Sequence, residues 1–130
     1  MSAKKIKEQD INYPTAGVSK KVNLARLDYF STLKENWNGF TAQPIMEEII
    51  EFGKQIVELA ETQPEIFPLP NGTLQFEWEN DNIYIELHPS LDQLWGIFWM
   101  TPDYHNVEAK VRNNPKYALT TVQKLLEQYK

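Results

Sequence analysis

The chain has 130 residues, of which 42% are hydrophobic and 24% are charged, values close to those of an average globular protein. This length favours a single domain, large enough to bury a hydrophobic core without disulfides or metal ions. There is no cysteine, which excludes disulfides, thiol nucleophiles and cysteine-based zinc sites. No stretch approaches the ~20 apolar residues that span a bilayer, and residues 1–10 lack the apolar run of a secretory signal. We therefore expect a cytoplasmic protein without a membrane partner.

The formal net charge is −5, and it is unevenly distributed. Residues 1–21 and residues 104–130 each carry a net +3, whereas residues 22–103 carry −11, from three basic and 14 acidic side chains. Contact with the phosphates of nucleic acid requires clustered Lys and Arg, so direct nucleic-acid binding is not expected. The acidic middle suits a basic partner, and it also keeps a protein in solution.

Residues 1–19 show no periodicity, and we expect a flexible N-terminal arm there. Apolar residues spaced by three and four predict the first helix from about residue 20 to residue 36, with Ser19 as its N-cap. The second helix is predicted to begin at Pro44, where a missing N–H costs nothing, and to end before Pro64.

After the second helix the hydrophobic period changes to two, which predicts strands. Four strands are predicted, at residues 73–79, 83–88, 94–101 and 105–111. The third, LWGIFWMT, is apolar on both faces, which favours a central or doubly covered position. A final helix is predicted from Pro115. The order helix, helix, four strands, helix predicts a two-layer α+β domain over residues 20–130, with an antiparallel meander and helices on one face.

The side chains suited to catalysis or cofactor binding are few. The only histidines, His88 and His105, have carboxylates nearby in sequence but no third ligand in the pattern, so no metal site is expected. There is no nucleophile elbow, glycine-rich phosphate loop or dinucleotide fingerprint. Glu77, Glu79 and Glu86 would share one face of the sheet, and carboxylates grouped in this way can act in catalysis. Alternating polar residues are, however, also the ordinary pattern of the solvent-exposed face of an antiparallel sheet. We therefore predict no enzyme and no cofactor.

Four Trp, six Tyr and six Phe are the most distinctive part of the composition. Alternation along the third predicted strand places Trp95 and Trp99 on one face and Phe98 and Met100 on the other. One face must meet the helices, and the other is then an apolar strip. Such a strip usually marks a partner surface, unless another part of the chain covers it. The candidate partner-binding residues are Trp95, Ile97, Trp99, Phe98, Met100 and Tyr84.

Two segments resemble motifs of a known family. Residues 33–45, LKENWNGFTAQPI, resemble W-[DN]-G-[YF]-x-A-x-P, and residues 68–78, PLPNGTLQFEW, resemble P-x-P-[DN]-G-x-[IL]-x-[LF]-E-W. Together they are similar to a family of small uncharacterised bacterial proteins, some encoded near mobile elements. The resemblance covers roughly residues 24–88. It implies a bacterial, intracellular protein of helix–helix–hairpin build, and it implies no activity.

The first of these motifs contains a second candidate site, the loop Trp37, Asn38, Gly39 and Phe40. An Asn-Gly pair favours a chain reversal, so the motif is consistent with a purely conformational role. A loop of this kind also presents backbone N–H groups, which could bind a ligand.

Three functional hypotheses follow from the sequence. The leading one is a non-enzymatic protein-interaction module that assembles through the aromatic sheet face, as a homodimer or with a partner from the same operon. Toxin–antitoxin, immunity and phage counter-defence pairs are examples of such a context. The first alternative is a small-ligand binding domain with an aromatic-lined pocket between the second helix and the sheet. The second alternative is an acidic decoy of a nucleic-acid-binding protein.

Overall fold

The computed structural model describes residues 18–130, in which three helices pack on one face of a five-stranded antiparallel sheet. In chain order the elements are α1 (Lys20–Phe30), α2 (Glu47–Leu59), β1 (Glu65–Pro68), β2 (Leu74–Glu79), β3 (Tyr84–His88), β4 (Leu94–Met100), β5 (Asn106–Arg112) and α3 (Pro115–Gln128). Each strand pairs with the next in the chain, giving the spatial order β1-β2-β3-β4-β5. The α+β class and the antiparallel meander expected from the sequence are confirmed.

The start of α1 follows its predicted cap. The Ser19 hydroxyl oxygen accepts a hydrogen bond of 3.1 Å from the Val22 N–H, which satisfies one of the unpaired donors of the first turn. The predicted arm, residues 1–19, falls almost entirely outside the described residues and stays a prediction. Within residues 18–130, no helix combines the length and the apolar character needed to cross a membrane.

The sheet has one strand more than predicted. β1 pairs antiparallel with β2, and Ile66 lies opposite Phe76. The strand was missed because it has only four residues, follows Pro64 and ends in Pro68. Proline lacks a backbone N–H, but an edge strand tolerates it because one side of that strand needs no donor.

α1 ends at Phe30, several residues earlier than predicted. The hydroxyls of Ser31 and Thr32 each donate a bond of 2.6 Å to a carbonyl of the last helical turn. Such local bonds compete with helix propagation. Leu33 and Trp37, whose spacing suggested a longer helix, still pack partly buried against the core, but from the loop that follows the helix. The apolar spacing therefore predicted correctly that these residues pack against the core, but it predicted too long a helix.

α2 lies close against the sheet and against α1. A Cβ added to Gly53 would lie 2.9 Å from Leu27 Cδ2 of α1 and 3.3 Å from the Phe76 ring of β2, so any side chain at this position would have to displace the Leu27 side chain. One residue away, the Phe52 ring meets the Trp95 ring edge-on, with centroids 5.0 Å apart. These contacts place the Trp95 side of β4 against the helices.

Candidate functional site

The sheet face opposite the helices carries a mixture of acidic, basic and aromatic side chains, and we call it the outer face. Strand pairing assigns its members as alternate residues of the five strands. They are Glu65, Phe67, Gln75, Glu77, Glu79, Tyr84, Glu86, His88, Leu94, Gly96, Phe98, Met100, Asn106, Glu108, Lys110 and Arg112. The predicted sharing of one face by Glu77, Glu79 and Glu86 is confirmed by this register.

The structure divides the candidate partner-binding residues between the two faces. Trp95 and Ile97 are 0% and 2% exposed in the core, and Trp99 packs against the same core on the helix side. Trp95 and Ile97 therefore belong to the core, and Trp99 is half-buried beside them. The three candidates on the outer face are Tyr84, Phe98 and Met100.

Tyr84, Phe98 and Met100 form a contiguous group, which we call the aromatic patch. The rings of Tyr84 and Phe98 meet edge-on with centroids 6.5 Å apart, and Tyr84 lies directly opposite Met100 in the β3–β4 register. All three side chains are half-buried. Further along β4 on the same face, Leu94 is 49% exposed. Aromatic and Met side chains grouped in this way are enriched in protein contact surfaces.

A row of three carboxylates crosses the outer face beside the aromatic patch. Glu65, Glu77 and Glu86 lie directly opposite one another on β1, β2 and β3. Like charges in directly opposed positions destabilise a sheet, so each carboxylate needs a compensating donor. Arg26 Nη1 lies 2.7 Å from Glu65 Oε2, and Gln75 Nε2 donates to Glu77 Oε2 at 2.6 Å. We call these three residues the carboxylate row.

The third carboxylate of the row is held by two neighbours on its own strand. Tyr84 Oη donates to Glu86 Oε2 at 2.6 Å, and His88 Nε2 lies 2.9 Å from Glu86 Oε1. The three side chains are two residues apart in sequence, so they point to the same face. The network fixes both the carboxylate and the imidazole in one orientation at the border of the aromatic patch.

This environment changes the acidity of the phenol. Burial raises the pKa of Tyr84 well above its ordinary value of 10.0, and the hydrogen bond to Glu86 and the charge of Glu77 act in the same direction. Each cause disfavours the phenolate, because a buried anion beside two carboxylates is poorly stabilised. The Tyr84 hydroxyl is therefore a fixed hydrogen-bond donor at every physiological pH.

We expect the raised pKa of Tyr84 to change how the free energy of unfolding depends on alkaline pH. Above pH 10 the unfolded chain loses the Tyr84 proton while the folded chain keeps it, so stability present below pH 10 is lost as the pH rises toward the folded pKa. Urea unfolding between neutral and alkaline pH should show a shallower alkaline fall for Tyr84→Phe than for wild type. The control Tyr104→Phe, at a position 81% exposed, should follow wild type. If stability fell equally steeply with pH in wild type and in Tyr84→Phe, the raised pKa of Tyr84 would be contradicted.

A groove of about 790 Å³ opens on the outer face next to the Glu86–His88 pair. Gly96 forms the floor of the groove. The space above it is open, because a Cβ added to Gly96 would lie 3.8 Å from its nearest neighbour, His88 Cβ, and 4.0 Å from Lys110 Nζ. Phe98 of the aromatic patch lines the same groove. A lone glycine in an apolar strand gives no sequence signal for a depression, and the cross-strand neighbours that form the walls lie far apart in the chain.

The second predicted candidate, the loop Trp37, Asn38, Gly39 and Phe40, is stabilised largely by bonds within itself. Asn38 Oδ1 accepts from the Phe40 N–H at 3.0 Å, and Trp37 Nε1 donates to the Gln43 carbonyl at 2.7 Å. Gly39 has a φ of +84°, the left-handed conformation that favours glycine. Phe40 is 76% exposed at the tip of the loop.

The two segments that carry the sequence motifs contact each other through their backbones. The Met46 N–H donates to the Gly72 carbonyl at 2.9 Å, and the Gln43 N–H donates a 2.8 Å bond to the same turn. Gly72 has a φ of +86°, and an added Cβ would lie 2.9 Å from the Pro44 carbonyl oxygen. α2 therefore begins at Glu47, not at Pro44 as predicted, because the preceding residues are bonded to the turn. Both motifs have a conformational role at this junction.

The histidines lie in different surroundings. His88 belongs to the network on β3, whereas His105 Nδ1 lies 3.9 Å from Asp103 Oδ2 in the turn before β5, where both side chains are exposed. In the part of the chain that the structure describes, no three His, Cys, Asp or Glu side chains converge as metal ligands.

Comparison with known proteins returns nothing: no family model, no curated protein and no solved structure matches this chain. What the protein does is therefore inferred from the chemistry of its surfaces.

Proposed function

We propose that this chain is a non-enzymatic, cytoplasmic interaction module that binds a partner protein through the outer face of its sheet. The observation that carries the proposal is the aromatic patch beside the carboxylate row, on the sheet face opposite the helices. Apolar groups at the centre of a polar surface are the usual anatomy of a protein contact site. Aromatic anchors supply most of the binding energy in such sites, and the polar rim supplies orientation.

The charges of this face favour a partner with a basic contact surface. β1, β2 and β3 contribute four glutamates to this face. Glu77 is buried, whereas Glu79 is exposed and Glu65 and Glu86 are half-buried, so these last three carboxylates can accept further hydrogen bonds. Arg and Lys of a partner could therefore bind here without displacing the existing donors. We take the partner to be a product of the same operon, as in toxin–antitoxin, immunity or phage counter-defence pairs. This step rests on analogy with the family that the two motifs resemble.

The test is affinity capture from extracts of the source cells with wild type, Phe98→Lys and Phe40→Lys as bait. Phe98 lies opposite Glu86 and Glu108, so a lysine at this position meets opposite charges within the sheet and should not disturb folding. It removes the central aromatic ring and repels a basic partner. We expect Phe98→Lys to lose a partner that wild type and Phe40→Lys retain, by at least about tenfold, the equivalent of one truncated hot spot.

Salt provides a second measurement in the same experiment. Binding that uses the carboxylates should weaken as sodium chloride rises, because added ions screen exposed charge pairs. A partner that is lost with Phe40→Lys but retained by Phe98→Lys would place the binding site in the loop of residues 37–40 and contradict the proposal.

The two alternatives make different demands on the structure. A small-ligand function would use a concave cavity, such as the one of about 470 Å³ that Leu59, Trp78 and Leu119 help to line. In that case a ligand should raise the melting temperature of the isolated protein. An acidic decoy would bind a nucleic-acid-binding protein through charge alone, so it should tolerate Phe98→Ala, which removes the ring and leaves every charge in place, and its binding should collapse as salt is added.

A further inference from the structure

β5 has a neighbour on one side only within residues 18–130, namely β4. The ends of the β4–β5 ladder are defined by two backbone bonds. The Thr101 N–H donates to the His105 carbonyl at 3.1 Å at one end. The Asn113 N–H donates to the Gln93 carbonyl at 3.2 Å at the other. Bonded and non-bonded pairs alternate in an antiparallel ladder, so these two bonds fix the direction of every backbone group between them.

The odd-numbered residues from 107 to 111 therefore exchange backbone hydrogen bonds with β4. The even-numbered residues of β5 direct their backbone N–H and C=O groups away from the sheet. The N–H groups of Asn106, Glu108 and Lys110 have no partner among the described residues. β5 has seven residues and contains no proline. A strand of this kind is a template for pairing with another chain.

The sequence of β5 is complementary to itself in the antiparallel direction. When two copies pair about Ala109, Glu108 of one lies opposite Lys110 of the other, twice by symmetry. On the helix side of the sheet, Val107 of one lies opposite Val111 of the other, and both valines are only half-buried in the single chain. The outward-directed backbone groups of Glu108 and Lys110 face each other in this register, so the hydrogen bonds and the charges are satisfied together.

Neighbouring registers are disfavoured by the same charges. Moving the two-fold axis by one residue to Glu108 places the two glutamates opposite each other. Moving it to Lys110 places the two lysines opposite each other at the centre, although Glu108 of each copy then lies opposite Arg112 of the other. Only the register centred on Ala109 brings charged residues together exclusively as opposite pairs, so charge favours that register.

We infer that two copies of this chain associate through β5, with the two-fold axis at Ala109, and join their five-stranded sheets into one continuous antiparallel sheet. The contact is isologous, because the same strand is used by both copies. Charged residues on an edge strand normally prevent indiscriminate pairing, and here they also specify the second copy as the partner. The contact uses the edge of the sheet and not the aromatic patch, so it does not depend on the proposed function.

Sedimentation equilibrium of wild type, Glu108→Lys, Lys110→Glu and the double exchange Glu108→Lys/Lys110→Glu tests the inference. Wild type should show twice the chain mass of 15.2 kDa. Each single variant places like charges opposite each other at two symmetric positions and should weaken the dimer by at least about tenfold in Kd. The double exchange restores opposite charges and should restore the dimer, which a variant that merely misfolds cannot do.

Two results would overturn the inference. One is a wild-type mass of 15.2 kDa at about 1 mM chain, where a Kd of ~1 mM or tighter is visible. The other is a dimer that the single charge reversals leave unchanged. Phe98→Lys serves as the control that separates the two proposals, because it should leave the dimer intact while it abolishes partner capture. A dimer that withstands both single charge reversals but dissociates with Phe98→Lys would be a case of the second result and would place self-association on the outer face.

Discussion

Trp95→Ala should lower the free energy of unfolding by about 3–5 kcal/mol, the range measured for large aromatic residues truncated in cores. The Trp95 side chain is fully buried, and its Nε1 donates to the Ser90 carbonyl at 2.9 Å. Its ring packs edge-on against Phe52 of α2. The substitution therefore leaves a cavity between the helix layer and the sheet and removes a partly buried hydrogen bond. Urea denaturation followed by far-ultraviolet circular dichroism measures the loss.

Two matched variants separate the causes. Trp95→Phe keeps an aromatic ring against Phe52 but leaves the Ser90 carbonyl without its donor, so we expect a smaller loss of about 1–3 kcal/mol. Leu94→Ala, at the adjacent and half-exposed position on the outer face, should cost less than about 1 kcal/mol. If Trp95→Ala cost no more than Leu94→Ala, the assignment of the two faces of β4 would be incorrect.

Arg26→Ala should lower the free energy of unfolding by about 3 kcal/mol, the lower end of the range for breaking a buried ion pair. The Arg26 side chain is 2% exposed and its Nη1 lies 2.7 Å from Glu65 Oε2, whereas Glu65 is 28% exposed and keeps some contact with water. The aliphatic stem of the arginine also fills space between α1 and β1, and alanine leaves that space empty. The same urea titration measures this loss.

The controls for Arg26 distinguish charge from volume. Arg26→Met retains an unbranched stem without the charge and should cost less than Arg26→Ala, because well-packed apolar groups often replace buried charges at little cost. Lys20→Ala removes an exposed pair, with Lys20 Nζ 3.6 Å from Glu58 Oε2, and should cost less than about 1 kcal/mol. Equal losses for Arg26→Ala and Lys20→Ala would show that the Arg26–Glu65 pair contributes no more than a surface contact.

The strands were predictable because their pattern is local. Leu74, Phe76 and Trp78 alternate with polar residues, and a period of two with one apolar face leaves little choice of structure or register. The same reasoning found β3, β4 and β5. It failed at β1, where a strand of four residues that ends in Pro68 gives too short a pattern. It also failed at the end of α1, where a loop satisfies the apolar spacing as well as a helix would.

Two buried polar residues of α1 were not predictable, because their partners are distant in the chain. Asn23 and Arg26 are buried, although their residue types suggest an exposed position. Asn23 Nδ2 donates to the Pro64 carbonyl at 2.9 Å, and Arg26 pairs with Glu65 of β1. A pattern confined to one helix contains no information about donors and acceptors about forty residues away.

The candidate site was predictable in part. Alternation grouped Phe98 and Met100 on one side of β4 and the tryptophans on the other, but both sides are apolar, so the pattern could not say which side meets the helices. Tertiary packing determines this, because Phe52 of α2 accommodates the Trp95 ring. The groove at Gly96 had no signal in the sequence, since its walls come from neighbouring strands.

The most direct test of the account is the amount of partner that Phe98→Lys retains relative to Phe40→Lys, with folding of both variants verified by their melting curves. A partner surface centred on the aromatic patch predicts that Phe98→Lys retains less than about a tenth of the partner that Phe40→Lys retains. Equal retention by two folded variants would contradict it.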